Sequence, residues 1–398
     1  MIDNKYFFNF KKVKIKNILM KNILSFGIAL VLLASGIENT LAQPGSKDII
    51  YAGTSSARGS KGIYVLEFDR TLGKLKELQT LTEGNGPGFL ALSPGKDFLY
   101  SIYGKGTATD GNGAVMAFKI DPFTGLLKKL NEQSVQAKGP AHISIDPKGR
   151  FAYTANYGDA SVTVFPINSD GTLAKASDVV KHTGSSINPQ RQKEPHPHSS
   201  IPSSDGKFLY VSDLGLDKIM IYEVLDGGKL KPAAVPFVQV AAGSGPRHFK
   251  IHENGNFAYS VDELSNTIVA FKVNKKTGAL TILESLSMLP EGYKEVTYAS
   301  DVHFSPDGKF IYASNRGHES LVIYQVNAKN GKLSMIGHEP TGGKHPRNFM
   351  IDRKGEFVLV GNMNTDNVVI FNRDAKTGLL KPNGQQYTIP GITCLIQL

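Results

Sequence analysis

The chain is expected to be all-β: a seven-bladed β-propeller of four-stranded antiparallel blades, its ring closed by the C-terminal strand. Three observations carry this expectation. A turn with a late Gly and a following Leu recurs seven times, at Gly73, Gly125, Gly171, Gly228, Gly278, Gly331 and Gly378. A second turn containing Gly or Pro, followed by an aromatic-rich segment, recurs six times. The repeat length is about fifty residues, in the range of propellers and solenoids.

Each unit reads as first strand, inner turn, second strand, loop, third strand, Gly turn and fourth strand. The inner turns are Ser93-Pro-Gly-Lys96, Asp146-Pro-Lys-Gly149, Ser203-Ser-Asp-Gly206, His252-Glu-Asn-Gly255, Ser305-Pro-Asp-Gly308 and Asp352-Arg-Lys-Gly355. They lead into strands such as Phe151-Ala-Tyr153 and Phe310-Ile-Tyr312, which makes them hairpin turns. The Gly turns join alternating runs such as Val162-Thr-Val-Phe165 to the Leu that follows, and Gly supplies the positive φ such hairpins need. Four-stranded units repeated radially leave only short sheet edges. No sustained 3.6-residue apolar period competes with this reading after the N-terminal segment.

The mismatch of six inner turns to seven Gly turns locates the closure. Ile49-Ile-Tyr51 resembles a second strand without a first, and Pro390 to Gln397 resembles a first strand without a second. The C-terminal segment is therefore expected to supply the innermost strand of the first blade. Composition agrees: among 398 residues there are 41 Gly and 20 Pro, as many short strands and turns require, and no Trp, which argues against tryptophan–aspartate repeats. The single cysteine, Cys394, excludes an intrachain disulfide, and its apolar neighbours make it a buried thiol.

Residues 1–42 read as a secretory signal and 43–398 as one propeller domain. Lys11, Lys12, Lys14, Lys16 and Lys21 precede an apolar run from Ile23 to Ile37, and Thr40-Leu41-Ala42 ends in a small residue. The run is short for a membrane span and no second one follows. No Cys follows the cleavage region, so a lipid anchor is not expected. The mature protein is expected in the periplasm or outside the cell, as a monomer without stable membrane insertion. Losing residues 1–42 removes six lysines and two acids, lowering the formal charge from +10 to +6. No Lys/Arg block points to nucleic acid, whereas a mild positive charge focused in a cleft favours small anions.

Aligning the units on their inner turns defines the mouth of the central channel. The start of each first strand and the end of each second strand meet at one edge. The first position is Gly88, Ala141, His198, Arg247, Ser300 and Arg347; the second is Tyr157, Leu214, Glu263, Arg316 and Met363. His198, Arg247, Glu263, Arg316 and Arg347 stand out from an otherwise small or apolar set, and all fall in the fourth to seventh units. One imidazole, one carboxylate and three guanidiniums in a cleft can bind an anion and move a proton. The same residues also suit a structural ion-pair network, Glu263 with Arg247 or Arg316, and the pattern alone leaves both readings open. Pro195-His-Pro-His198 invites a metal, but Pro197 distorts the strand and no partner stands at ligand spacing, so no metal or other cofactor is expected. His248, Asp301 and His303 lie near the same edge and read as hydrogen-bonded supports. The polar segment from His182 to Glu194 reads as a long loop, expected to be an exposed excursion rather than a lid.

At these residues the chain resembles the seven-bladed lactonase family, which includes propeller-type 6-phosphogluconolactonases and fungal carboxymuconate lactonising enzymes. The matching segments are Pro197-His-Ser-Ser-Ile201, Gly245-Pro-Arg-His248, Val261-Asp-Glu-Leu264, Ser300-Asp-Val-His303, Ser314-Asn-Arg316 and His345-Pro-Arg347. The family's site residues, a His, two Arg and a Glu, fall on His198, Arg247, Arg316 and Glu263. The resemblance implies an enzyme that opens a small anionic sugar lactone, nominally 6-phosphogluconolactone to 6-phosphogluconate. His198 or Glu263 would act as base and Arg247 or Arg316 as oxyanion donor, while Arg347, His248 and Asp301 would bind substrate. The export segment departs from the cytosolic setting of that substrate. Two alternatives stand beside this one: cycloisomerisation of a muconate-like acid at the same site, and a secreted non-enzymatic binding propeller. The second draws on the likeness of Phe151-Ala-Tyr-Thr-Ala-Asn156 to surface-layer repeats.

Overall fold

The computed structural model describes residues 47–106 and 110–398, and the expected signal segment lies outside them. The described residues form seven four-stranded antiparallel sheets, as the repeats predict. Blade 1 comprises residues 47–81 with the C-terminal strand; blades 2 to 7 span 85–134, 140–181, 197–239, 246–287, 298–340 and 346–388. Inner strands of successive blades pack side by side around the ring.

The closure is the expected one. Ile392–Gln397 pairs antiparallel with Lys47–Thr54, setting Tyr51 opposite Ile396 and Ala52 opposite Leu395. Its side chains serve two interfaces. Cys394 packs with Tyr51, Leu90 and Met116 towards blade 2, whereas Ile392 and Leu395 pack with Leu359 and Ile370 of blade 7. The thiol is buried, as its neighbours foretold.

The two repeated motifs turn out to touch each other. Five of the seven Gly turns lie against the second strand of the preceding blade, where the flat face of the glycine accepts an aromatic ring; Gly125 meets Ile49 instead, and Gly73 meets Asn383. Gly171 has φ 85°, and a Cβ there would stand 2.2 Å from the Phe98 ring. Gly228 meets Phe151, Gly278 meets Phe208, Gly331 meets Phe257 and Gly378 meets Phe310 in the same way. The Tyr two residues on completes the clip: Tyr100, Tyr259 and Tyr312 donate their hydroxyls to the carbonyls of Gly171, Gly331 and Gly378 at 3.0, 2.7 and 2.6 Å. At these interfaces the aromatic strand and the Gly turn recur together because each is one half of the same contact.

Every inner strand carries a β-bulge near its start. The pairing skips one residue at Thr393, Gly88, Ala141, His198, Arg247 and Arg347, and places Ser300-Asp301 opposite Ser314 alone. A bulge bends the strand and re-aims the extra side chain. Here it presents one residue per blade to the channel mouth.

Candidate active site

Glu263 is the hub of the mouth. It follows the last residue of the strand Phe257–Asp262, and its N–H donates to Gly245 O at 2.7 Å, which fixes the turn. Its carboxylate meets three guanidiniums. Oε2 lies 2.9 Å from Arg316 Nη2 and 3.1 Å from Arg247 Nε, and Oε1 accepts from Arg191 Nη2 at 2.7 Å. Burial pulls the carboxyl's pKa upward, but Arg316, Arg247 and Arg191 outweigh it and hold it at about 2. Glu263 is therefore ionised and fully engaged, which makes it a poor proton acceptor.

Arg247 and Arg316 are held from both sides. Arg247, 2% exposed, donates Nη1 to Ser300 O at 2.6 Å and to His248 Nε2 at 3.2 Å. Because Arg can only donate, His248 accepts at Nε2 and its proton sits on Nδ1, which donates to Asp301 Oδ1 at 2.7 Å. Asp301 also accepts from His303 Nε2 at 2.8 Å and from Val302 N at 2.9 Å. Arg316 donates to Tyr298 O and Ala299 O at 3.3 and 2.8 Å, and its guanidinium lies over the Tyr298 ring, as does that of Arg191.

Arg347 differs from its neighbours. Among the described residues its guanidinium has no hydrogen bond or ion pair. Burial, then the nearby Arg316, push its pKa down to about 10. It lines a cavity of about 500 Å³ together with Met363, Thr393, Gly88, Ala141 and Lys105. Four guanidiniums (Arg191, Arg247, Arg316 and Arg347) thus face one carboxylate, and the uncompensated charge belongs to the residue that faces open space. Such an arrangement of charge favours anions.

His198, 6% exposed, sits edge-on to the rings of Tyr157 and His248, and its Nδ1 is enclosed without a hydrogen-bond partner among the described residues. Burial and Arg247 keep its pKa well below the ordinary value, so the imidazole is neutral. The neighbouring His196 stacks on Tyr157 and bonds its carbonyl, and among the described residues no His, Cys, Asp and Glu grouping suits a metal ion.

The structure thus gathers His198, Arg247, Glu263, Arg316 and Arg347 at one side of the mouth. His248 and Asp301, expected to bind substrate, lie one residue beyond the bulge positions. Both are buried beneath Arg247 and act as its support, as their neighbour His303 does. The segment from His182 to Glu194 is largely exposed, as expected, but it is pinned at three points: Gln192 donates to Leu214 O and Asp217 Oδ1, Ser186 bonds Asp217, and His182 is wedged between Asp213 and Tyr222. So anchored, the loop overhangs the mouth and delivers Arg191 to Glu263. Arg191 had no signal in the sequence, because the loop lies outside the four-strand repeat. His142 and Asn348 were also missed. They occupy the same register as His248 and Asp301, and that one-residue offset would have marked them.

Residues 49–397 match the family model described as Lactonase, 7-bladed beta-propeller. A 6-phosphogluconolactonase of Formosa agariphila is 39% identical over 299 residues, covering 74% of this chain and 83% of the relative. The 6-phosphogluconolactonase of Bacillus subtilis is 34% identical over 307 residues, 77% of this chain and 86% of its own. Among solved structures, the periplasmic gluconolactonase of Pseudomonas aeruginosa superposes with a TM-score of 0.84 at 31% identity, covering 89% of this chain and 99% of that one.

Proposed function

The chain belongs to the seven-bladed β-propeller lactonase family, and from that premise we propose that it hydrolyses sugar lactones of the 6-phosphogluconolactone type, outside the cytoplasm. The observation that carries this reading is Arg347, whose guanidinium has no protein partner among the described residues and is the only one to line a cavity of about 500 Å³, while Arg316 and Arg247 lie near enough for their charges to act on it or be acted on by it. That volume is in the range of about 300–1,000 Å³ usual for small-molecule sites. A ring lactone bearing an anionic group fits both the space and the charge.

Water attack on the lactone carbonyl places negative charge on its oxygen. Arg347 stabilises that oxyanion, and Arg247 Nη2 and Arg316 Nη1, which carry no hydrogen bond among the described residues, are the neighbouring donors. Glu263 keeps the three guanidiniums Arg191, Arg247 and Arg316 converged and desolvated rather than taking a proton. The proton acceptor is accordingly a neutral imidazole of the mouth, and His198 is one of these. Export rests on the N-terminal segment and on the kinship to a periplasmic gluconolactonase. Among the described residues no helix is long and apolar enough to cross a membrane.

The test is acid release at constant pH by the protein from Gln43 onward, against phosphorylated and plain aldonolactones. Hydrolysis yields one carboxylic acid per lactone consumed, whereas cycloisomerisation consumes an acyclic acid and a binding propeller turns over neither. Cell fractionation tests the location: recovery in the cytoplasm would refute export.

A further inference from the structure

Three blades place a left-handed residue directly before the Pro that precedes the bulge, and in each it is glycine. Gly86, Gly139 and Gly245 have φ of 68°, 60° and 66°. Blade 7 makes the same turn with His345, at φ 64°. A side chain in this region crowds the backbone, and only glycine adopts it freely. The surroundings hold the histidine there. Its N–H donates to Glu319 Oε2 at 2.6 Å, and its carbonyl accepts the N–H of Met363 at 3.0 Å. Non-glycine residues fixed in such conformations cluster at functional sites.

The turn sets His345 at the rim, two residues before Arg347, and only partly buried. Among the described residues no hydrogen bond engages its ring. Burial and the fields of Arg316, Arg347 and Arg247, partly offset by Glu263, lower its pKa to about 4, so the imidazole is neutral. The other candidates are worse placed. Glu263 is spent on three guanidiniums, both nitrogens of His248 are bonded, and His198 is more deeply buried, with one nitrogen enclosed.

Building on the lactonase reading above, we propose that His345 takes the proton from the attacking water and returns it to the ring oxygen as the lactone opens. The water oxygen bonds to the carbonyl carbon while one of its protons passes to the imidazole, giving an imidazolium and an oxyanion. The bond from that carbon to the ring oxygen then breaks, the electron pair leaves with the oxygen, and the imidazolium protonates it. The products are a hydroxyl and a carboxylic acid. As the oxyanion forms it cancels part of the arginine field that weakens His345 as a base, so proton uptake and charge development favour each other.

Blades 2, 3 and 5 carry glycine at this turn, which supplies the substitution. His345→Gly removes the imidazole while relieving the backbone, so the variant is expected to fold with an unchanged or higher Tm. Its kcat should fall by about 100-fold or more with KM changed little, and free imidazole added to the assay should restore part of the rate. A His345→Gly protein with wild-type kcat, beside a wild-type enzyme that hydrolyses lactones, would overturn the assignment and leave the lactonase reading standing. So would a loss of kcat that imidazole cannot rescue while His198→Ala shows the rescue. A wild-type protein inert towards every lactone would instead overturn the lactonase reading, and the assignment with it.

Discussion

Replacing Glu263 by Gln removes the one carboxylate that three guanidiniums share, and its cost can be worked two ways. A carboxyl whose pKa falls from 4.5 to about 2 on folding is stabilised in its ionised form by about 3 kcal/mol, at ~1.4 kcal/mol per pKa unit. Independently, breaking a buried ion pair by removing one partner costs about 3–5 kcal/mol, because the remaining charges stay buried and uncompensated. The unfolding entropy of a domain of roughly 350 residues is about 0.7 kcal/mol per kelvin, so a loss of about 3 kcal/mol lowers Tm by about 4 °C. The pH dependence fixes the cause. The folded pKa is depressed, so the stabilisation is complete above the unfolded value near 4.5 and is lost as pH falls towards about 2. Thermal unfolding of wild type and Glu263→Gln between pH 7 and pH 3 should show a gap that is full at neutral pH and narrows on the acid side. Equal stability at pH 7, or a gap of constant size down to pH 3, would refute the account of Glu263 as the clamp of the arginine cluster.

Arg347→Met should separate function from stability. Removing a half-buried charge that has no ion-pair partner among the described residues leaves Tm unchanged or higher, while the loss of an oxyanion donor lowers kcat by about 100-fold or more; a wild-type rate would contradict the assignment. Truncation before Pro390 should abolish cooperative unfolding by circular dichroism. Ile392 and Leu395 contribute roughly 1.5–3 kcal/mol each by burial, against a total stability of about 5–15 kcal/mol, and their loss also unpairs the Lys47–Thr54 strand. The pH–rate profile of kcat/KM should be flat from neutral pH down to about 5 and fall as pH passes about 4, where His345 acquires a proton. A fall centred near 6.5 would place the titrating imidazole outside the arginine field.

The repeats were legible in the sequence because both partners of one contact recur. The Gly turn and the aromatic strand clip each other at five successive blade interfaces, so the two motifs recur with the same period. The mouth residues were legible for a related reason: the bulge inserts one residue at a constant distance after Pro87, Pro140, Pro197, Pro246 and Pro346. His248 and Asp301 were legible as hydrogen-bonded supports: side chains alternate along a strand, so one residue past the bulge they hold Arg247 from below, and only the substrate contact expected of them is not what their geometry offers. What failed to show follows from geometry outside that register. Arg191 arrives on a loop whose position is set by the buried carboxylates Asp213 and Asp217, which no local pattern reveals. His345 stood in a recognised segment, but its left-handed backbone appears only when it is set beside Gly86, Gly139 and Gly245.

On the proposed reading, an arginine without a protein partner among the described residues holds a lactone for hydrolysis at the mouth of this propeller. Its most direct test is base uptake at constant pH by purified protein acting on 6-phosphogluconolactone, corrected for spontaneous opening, with Arg347→Met alongside. The account predicts one equivalent of acid per lactone from the wild type, and a rate at least about 100-fold lower from the variant. Acid release by the wild type no faster than the spontaneous reaction, across phosphorylated and plain aldonolactones alike, would contradict it.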